Sequence, residues 1–404
     1  MSCGMRHKFS TCAFAAIALL LAGCGDGGGG VSSSSTASNV QAITVEAGPA
    51  NTTNTLFTSV TVCVPGGSDC RTIDHVLVDT GSSGLRIMAS ELPASFVLPQ
   101  LTDSGGDPLV ECTQFADGYT WGPVKSADVK IAGEQAAAVP IQMIGDPGFA
   151  AVPASCSSTG PAENTVAAFG ANGVLGVGVF MQDCGSICAV SAIPGFYYAC
   201  PVSGCQETTA SLERQATNPV GLFANDNNGV IVELPAVPDA GAATVTGALV
   251  FGIGTQTNNG LGAAQVFKVR PDTGRFVTAY NNQTYTDSLL DSGSSAYFFA
   301  DNNIAVCDPS DPYAPGFYCP PSTQDLSAAI NGTNGASATL GFSVANAHAL
   351  VNDNPGNVAF NNLAAPEVLP GGFIWGLPAF FGRNVYTAIE QQNTSAGLGP
   401  YVAF

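Results

Sequence analysis

Two short stretches of this chain put a carboxylate in the same polar setting: Asp79-Thr80-Gly81-Ser82-Ser83 and Asp291-Ser292-Gly293-Ser294-Ser295. Each acid follows an apolar run, Val76-Leu77-Val78 in one stretch and Leu289-Leu290 in the other. The glycines, Gly81 and Gly293, permit a tight turn that brings backbone N–H groups within reach of the acid. Ser82 and Ser294 supply hydroxyls for the outer carboxylate oxygens. Two carboxyl groups brought face to face cannot both ionise easily. One keeps its proton as an acid and the other acts as a base on a water held between them. The chemistry on offer is hydrolysis. A single Asp-Thr-Gly or Asp-Ser-Gly reads as an ordinary turn, so the weight rests on the doubling.

A second repeated signature identifies the elements that must hold these acids. Gly173-Val174-Leu175-Gly176-Val177 follows the first loop and Phe373-Ile374-Trp375-Gly376-Leu377 follows the second. The same two motifs in the same order in both halves imply a pseudo-two-fold arrangement with one acid from each half. Hydrophobic residues make up 46% of the 404 residues and charged residues 10%, with 48 Gly and 26 Pro. Short runs of Val, Ile and Phe between Gly, Pro, Asn and Asp predict an all-β chain with few helices, long enough for two packed lobes.

Other chemistries find less support. Lys and Arg total 11 against 30 Asp and Glu, with no basic run to neutralise a phosphate backbone, so nucleic acid is not an expected partner. His75 and His348 lie near no cysteine pair, and no metal or other cofactor is expected. No Gly-x-Ser-x-Gly elbow precedes a helical pattern, and no glycine-rich loop ends in Lys-Ser/Thr. His75, four residues before Asp79, reads as a satisfied structural histidine.

The N-terminus reads as an export signal, with Arg6, His7 and Lys8 ahead of an apolar stretch from Thr11 to Leu21. It ends in Leu21-Ala22-Gly23-Cys24, which resembles the bacterial lipobox and implies lipidation at Cys24. The expectation is an envelope protein anchored to a membrane by lipid, its folded part in the periplasm or at the cell surface. Ten cysteines then remain, an even number suited to disulfides in an oxidising compartment. Cys63/Cys70, Cys184/Cys188, Cys200/Cys205 and Cys307/Cys319 are close enough in sequence to close surface loops, which leaves Cys112 with Cys156.

The doubled Asp loops and their apolar-Gly partners resemble the pepsin-like aspartic proteases over most of residues 45 to 404. The run Gly376-Leu377-Pro378-Ala379-Phe380-Phe381-Gly382 and the strand-like Ala248-Leu249-Val250-Phe251-Gly252 extend the likeness. It implies a two-lobed, pepsin-like barrel fold with pseudo-two-fold symmetry, divided as follows: a signal peptide over 1–23, a Gly/Ser tether over 24–44, an N-terminal lobe over 45–215, a linker over 216–240 and a C-terminal lobe over 241–404. It also implies that Asp79 and Asp291 are the catalytic pair and that Thr80 and Ser292 cross-link their loops. The family's substrate-covering hairpin, or flap, corresponds to Phe115-Ala116-Asp117-Gly118-Tyr119-Thr120-Trp121, with Phe115, Tyr119 and Trp121 as candidate flap residues. Phe115 stands where the family carries a tyrosine. The implied activity is aspartic endopeptidase action by a monomer on an extended peptide or protein. The alternative is a lipoprotein that keeps the cleft to bind peptide or protein without cutting it. The chain also resembles a bacterial family of exported proteins known as a domain of unknown function, which implies no activity.

Overall fold

The computed structural model describes residues 39–404. Strands dominate, and the longest α-helix among the described residues is Ala347–Asp353. No described helix is long and apolar enough to cross a membrane. The expected signal, Cys24 and most of the tether lie outside the described residues. The tether's last positions belong to a strand, Val40–Val45, and residues 39–404 form one compact unit.

The larger sheet has 15 strands, and part of it closes on itself. The long strand Tyr119–Ile131 pairs with Glu134–Ile144 and also with Leu56–Cys63. This second pairing completes a ring that runs on through Ser83–Met88, Gly173–Val177 and Cys70–Asp79. A closed ring leaves no free edge and encloses its own core. Val60, Val62, Val76, Val78, Leu85, Ile87, Val129, Ile141 and Leu175 fill that core. These residues are β-branched or leucine, the types that pack well on a pleated surface.

From the barrel the sheet continues through Val40–Val45, Val245–Phe251, Gly229–Leu234, Arg383–Ala388, Tyr401–Ala403 and Val266–Lys268. The first described strand therefore pairs with Val245–Phe251 from the second half over six residues. The stretch 216–240, expected as a linker, contributes the buried strand Gly229–Leu234 to the same sheet. Its sequence Gly-Val-Ile-Val-Glu-Leu has the apolar run of a strand covered on both faces.

A second sheet of 7 strands supports the second loop, in the order Ser337–Val344, Gln324–Asn331, Phe276–Tyr280, Gln283–Leu290, Ile374–Trp375, Tyr297–Phe298, Ala364–Ala365. Aromatic rings pack its inner face. Phe299 stacks on Phe373 with centroids 4.9 Å apart, and Phe373 lies 4.7 Å from Trp375.

All ten cysteines after Cys24 are paired, as Cys63–Cys70, Cys112–Cys156, Cys184–Cys188, Cys200–Cys205 and Cys307–Cys319. This is the pairing that sequence proximity suggested. Five disulfides mark an exported, non-cytoplasmic protein.

Candidate active site

Each acidic loop sits at the end of one strand, wedged between two others. Cys70–Asp79 runs parallel to Gly173–Val177, with Asp79 opposite Gly176, and Ser83–Met88 returns antiparallel on the far side of Gly173–Val177. In the second half Gln283–Leu290 runs parallel to Ile374–Trp375, and Tyr297–Phe298 returns antiparallel. The Asp291 N–H donates to the Trp375 carbonyl at 3.0 Å. Both apolar-Gly motifs thus lie beside the loops they were expected to support.

The two loops carry the same internal bonds. Gly81 N–H donates to Asp79 Oδ1 at 2.7 Å and Gly293 N–H to Asp291 Oδ1 at 2.9 Å. Ser82 Oγ donates to Asp79 Oδ2, and Ser294 Oγ to Asp291 Oδ2 at 2.7 Å. The loops also lock to each other. Thr80 N–H donates to Ser292 Oγ at 3.1 Å, and Ser292 N–H donates to Thr80 Oγ1 at 3.0 Å. Each hydroxyl then donates across the interface, Thr80 Oγ1 to the Leu290 carbonyl at 3.1 Å and Ser292 Oγ to the Val78 carbonyl at 2.7 Å. Thr80 and Ser292 are buried, so this exchange is dry and rigid.

The interlock brings each carboxylate over the other loop's glycine. A Cβ added to Gly81 would stand 2.7 Å from Asp291 Cγ, and one added to Gly293 would stand 2.7 Å from Asp79 Oδ1. A side chain at either position would force the opposing carboxyl group to move. Burial, then the charge of Asp291 and a hydrogen bond to it, raises Asp79 from the ordinary 3.8 to about 8, against the opposing effects of Ser82 and the Gly81 N–H. The proton belongs to the pair.

Two cavities flank the pair. One, of about 430 Å³, contains Asp79 and Asp291 and is walled by Leu77, Phe115, Phe169, Phe298, Phe317 and Val368. Phe115 opens the turn that joins Leu109–Gln114 to Tyr119–Ile131, its N–H donating to the Gly118 carbonyl at 2.8 Å, and its ring meets Phe169 at 5.6 Å. The hairpin tip therefore lines the cavity that holds the acids. Tyr119 and Trp121 do not line this cavity and are buried in a separate core beside Tyr198. Trp121 Nε1 donates to the Phe149 carbonyl at 2.7 Å. Glu163 also lines the cavity, and burial together with Asp117 raises it to about 7.

The other cavity, of about 260 Å³, is bounded by Thr80, Gly81, Ser82, Arg86, Gln114, Asp183 and Arg275 among others. Arg86 is buried. Its Nη2 meets Glu111 Oε1 at 2.6 Å and Asp183 Oδ2 at 3.4 Å, Nε donates to Thr113 Oγ1 at 2.7 Å, and Nη1 donates to the Ser83 carbonyl at 2.9 Å. Tyr197 Oη donates to Asp183 Oδ1 at 2.6 Å. One guanidinium therefore joins the Asp79 loop to the hairpin strand that carries Glu111 and Thr113. Burial and then Glu111 raise Asp183 well above the usual carboxylate range, against the pull of Arg86.

Glu111, Asp183 and Arg86 were not candidates from sequence. The available signal was a lone arginine in Leu85-Arg86-Ile87 of a chain poor in cations. The histidines stand apart from the acids. His75 has left-handed backbone (φ 46°), its imidazole lies 3.3 Å from Asp74 and 3.6 Å from Glu46, and it packs edge-on against Phe57. The left-handed backbone breaks the regular alternation that would have related it to Asp79. His348 meets Asp311 at 2.6 Å. No cluster of metal-ligating side chains occurs among the described residues.

These features define a class: a mostly β, disulfide-bonded exported protein with barrel-like sheets, in which two interlocked loops oppose a pair of carboxyl groups. The chain belongs to the family described as protein of unknown function (DUF3443), whose model matches residues 35–404. A comparison with curated proteins gave no match.

Proposed function

We propose that this protein is an aspartic endopeptidase of the cell envelope with a two-lobed, pepsin-like architecture, tethered by a lipid on Cys24. The observation that carries this reading is the mutual packing of Asp79 and Asp291 over Gly293 and Gly81. A pure binder has no physical need for two carboxyl groups facing each other on the wall of a cleft. In the proposed reaction the ionised member of the pair takes a proton from the water between them as its oxygen attacks the peptide carbonyl carbon. The protonated member gives its proton to the carbonyl oxygen. Collapse of the resulting diol breaks the C–N bond, and a proton passes to the leaving amine. Gly81 N–H, Gly293 N–H, Ser82 and Ser294 hold the carboxylates in place throughout. Phe115, at the hairpin tip, covers the substrate on the apolar side.

The test is incubation of residues 25–404 with a peptide library from pH 3 to 7, beside Asp79→Asn, Asp291→Asn and a statin-type transition-state inhibitor. Cleavage that falls by about 10²- to 10⁴-fold in either folded variant is expected. Identical processing by parent and variants would end this reading.

One observation favours a second reading. The hairpin tip presents the phenyl ring of Phe115 and no hydroxyl from Tyr119, which is buried elsewhere. A cleft lacking that polar group suits capture of an extended peptide or protein without cutting. Statin-peptide binding with no new termini after long incubation would select it.

A further inference from the structure

The cavity on the Ser82 side of the acid pair contains a guanidinium that has no ion-pair partner among the described residues. Of the 11 Lys and Arg in the chain, two line this single cavity, Arg86 and Arg275. They are in opposite states. Arg86 is matched by Glu111 and Asp183. Arg275 makes no salt bridge or side-chain hydrogen bond among the described residues, and its Nη1 is buried with no acceptor. A guanidinium offers five donors and rarely leaves a buried one unmet, because the desolvation goes uncompensated.

Its presentation is structured. Arg275 ends a tight turn in which Arg270 N–H donates to the Arg275 carbonyl at 2.8 Å and Gly274 N–H donates to the Arg270 carbonyl at 2.8 Å. Arg270 holds Asp287 of the adjoining strand at 2.5 Å, so that carboxylate is already engaged. Gly274 sits against Val179 and Phe180, which fixes the turn in the wall of the cavity that Ser82 and Gln114 also line. Burial lowers Arg275 and the charges of Asp291 and Asp287 oppose this, which leaves the side chain cationic beside the acid pair.

We propose that Arg275 makes this cavity a subsite for a carboxylate-bearing residue of the bound peptide, either an internal Glu or Asp or a chain-terminal carboxylate. A planar guanidinium with free donors matches a carboxylate in two-pronged fashion. The cavity holds about 260 Å³, room for such a side chain. The opposite cavity is walled by Phe115, Phe169, Phe298, Phe317 and Val368. The bound chain is thus read as apolar on one side of the acid pair and acidic on the other. This local cation also answers the general repulsion that a formal charge of −19 imposes on acidic peptides.

The inference rests on the peptide-cleaving reading, and the experiment separates the two. Peptides are scanned with Glu, Gln and Lys at each position within four residues of the cleaved bond, and a second set ends at the responsive position as acid or amide. With the parent protein, one position is expected to favour Glu over Gln by about 10- to 100-fold in kcat/KM. In Arg275→Gln that ratio falls to about one, and in Arg275→Glu the preference turns to Lys. The acid and amide arm tells an internal side chain from a chain end. The same ratios are read by anisotropy of labelled peptides on Asp79→Asn, with and without Arg275→Gln. A Glu preference in binding that needs Arg275 upholds the subsite even where no peptide is cut. A parent with no Glu preference at any position, a preference that survives Arg275→Gln, or an equal loss on Glu and Gln peptides would overturn it. The last outcome would assign Arg275 to the acid pair.

Discussion

The two acidic loops have the same internal bonds but are held up by different materials. Behind Asp79 stands a closed barrel backed by a charged cluster, Arg86 with Glu111, Asp183 and Tyr197. Behind Asp291 stands an open sheet packed with rings, among them Phe299, Phe342, Phe373 and Trp375. Trp375 itself bridges the loop and the sheet, its carbonyl accepting from Asp291 N–H and its Nε1 donating to Thr278 Oγ1 at 3.1 Å. The same loop geometry can therefore be enforced by directed charge or by undirected packing. The two supports should fail in different ways.

The largest effect tests that difference directly. Arg86→Met leaves Glu111 and Asp183 buried without a cation and is expected to destabilise by about 3–5 kcal/mol. Trp375→Ala removes a buried ring from the other side at a cost of about 3–5 kcal/mol. Urea unfolding at pH 4 and pH 8 distinguishes them. Asp183, already raised by burial, loses the guanidinium that pulls it down and is relieved by protonation, so the Arg86→Met deficit shrinks at pH 4 while the Trp375→Ala deficit stays constant. Equal pH behaviour would remove the distinction.

Next in size is the lock between the loops. Thr80→Val and Ser292→Ala should each destabilise by about 1–3 kcal/mol, because each leaves a buried N–H and a buried carbonyl without partners. The double variant should lose less than the sum, since both changes break one shared network. Strict additivity would mean that the loops are stabilised independently.

Of similar size is the effect of the acid pair on stability. A folded-state pKa above the unfolded one favours the fold while the group is protonated. The Asp79 contribution is therefore complete below about pH 4 and is lost as pH rises through about 8. Over that window the parent Tm should fall by about 2–4 °C more than that of Asp79→Asn. Parallel curves would show that Asp79 is not the group held protonated.

The smallest effect concerns the hairpin side of the apolar cavity. Glu163 is raised to about 7, so its contribution is present below about pH 4.5 and is lost as pH rises through 7. Glu163→Gln should flatten Tm between pH 5 and 8 by about 1 °C. It should also flatten the affinity of peptides with large apolar residues over the same range. An unchanged pH profile would take Glu163 out of the cavity's electrostatics.

The difference between the two halves also decides what could be read in advance. The loops were legible because all of their polar work is done within five consecutive residues, so the pattern survives in one dimension. The disulfides were legible for a related reason: four of the five close short loops, and the fifth pair is what remains. The Arg86 cluster was hidden because its members, residues 86, 111, 183 and 197, come from three strands and a connecting segment. Arg275 and Glu163 lie in connecting segments whose sequence carries no period. Tyr119 and Trp121 looked like residues of a hairpin tip, yet Tyr119 through Val124 is buried at every position. A strand covered on both faces has no alternation to say which way a side chain points.

The site closes only when the ends of distant strands meet. Asp79 must find Gly176, Asp291 must find Trp375, and Thr80 must exchange bonds with Ser292. The chain is made from its N-terminus, so the last of these partners arrives when nearly all of it has been synthesised. Until then the first acid has no second one and the pair does not exist. A site assembled this late is absent from the growing chain and from any chain cut short by a premature stop, so the acid pair exists only in a finished molecule.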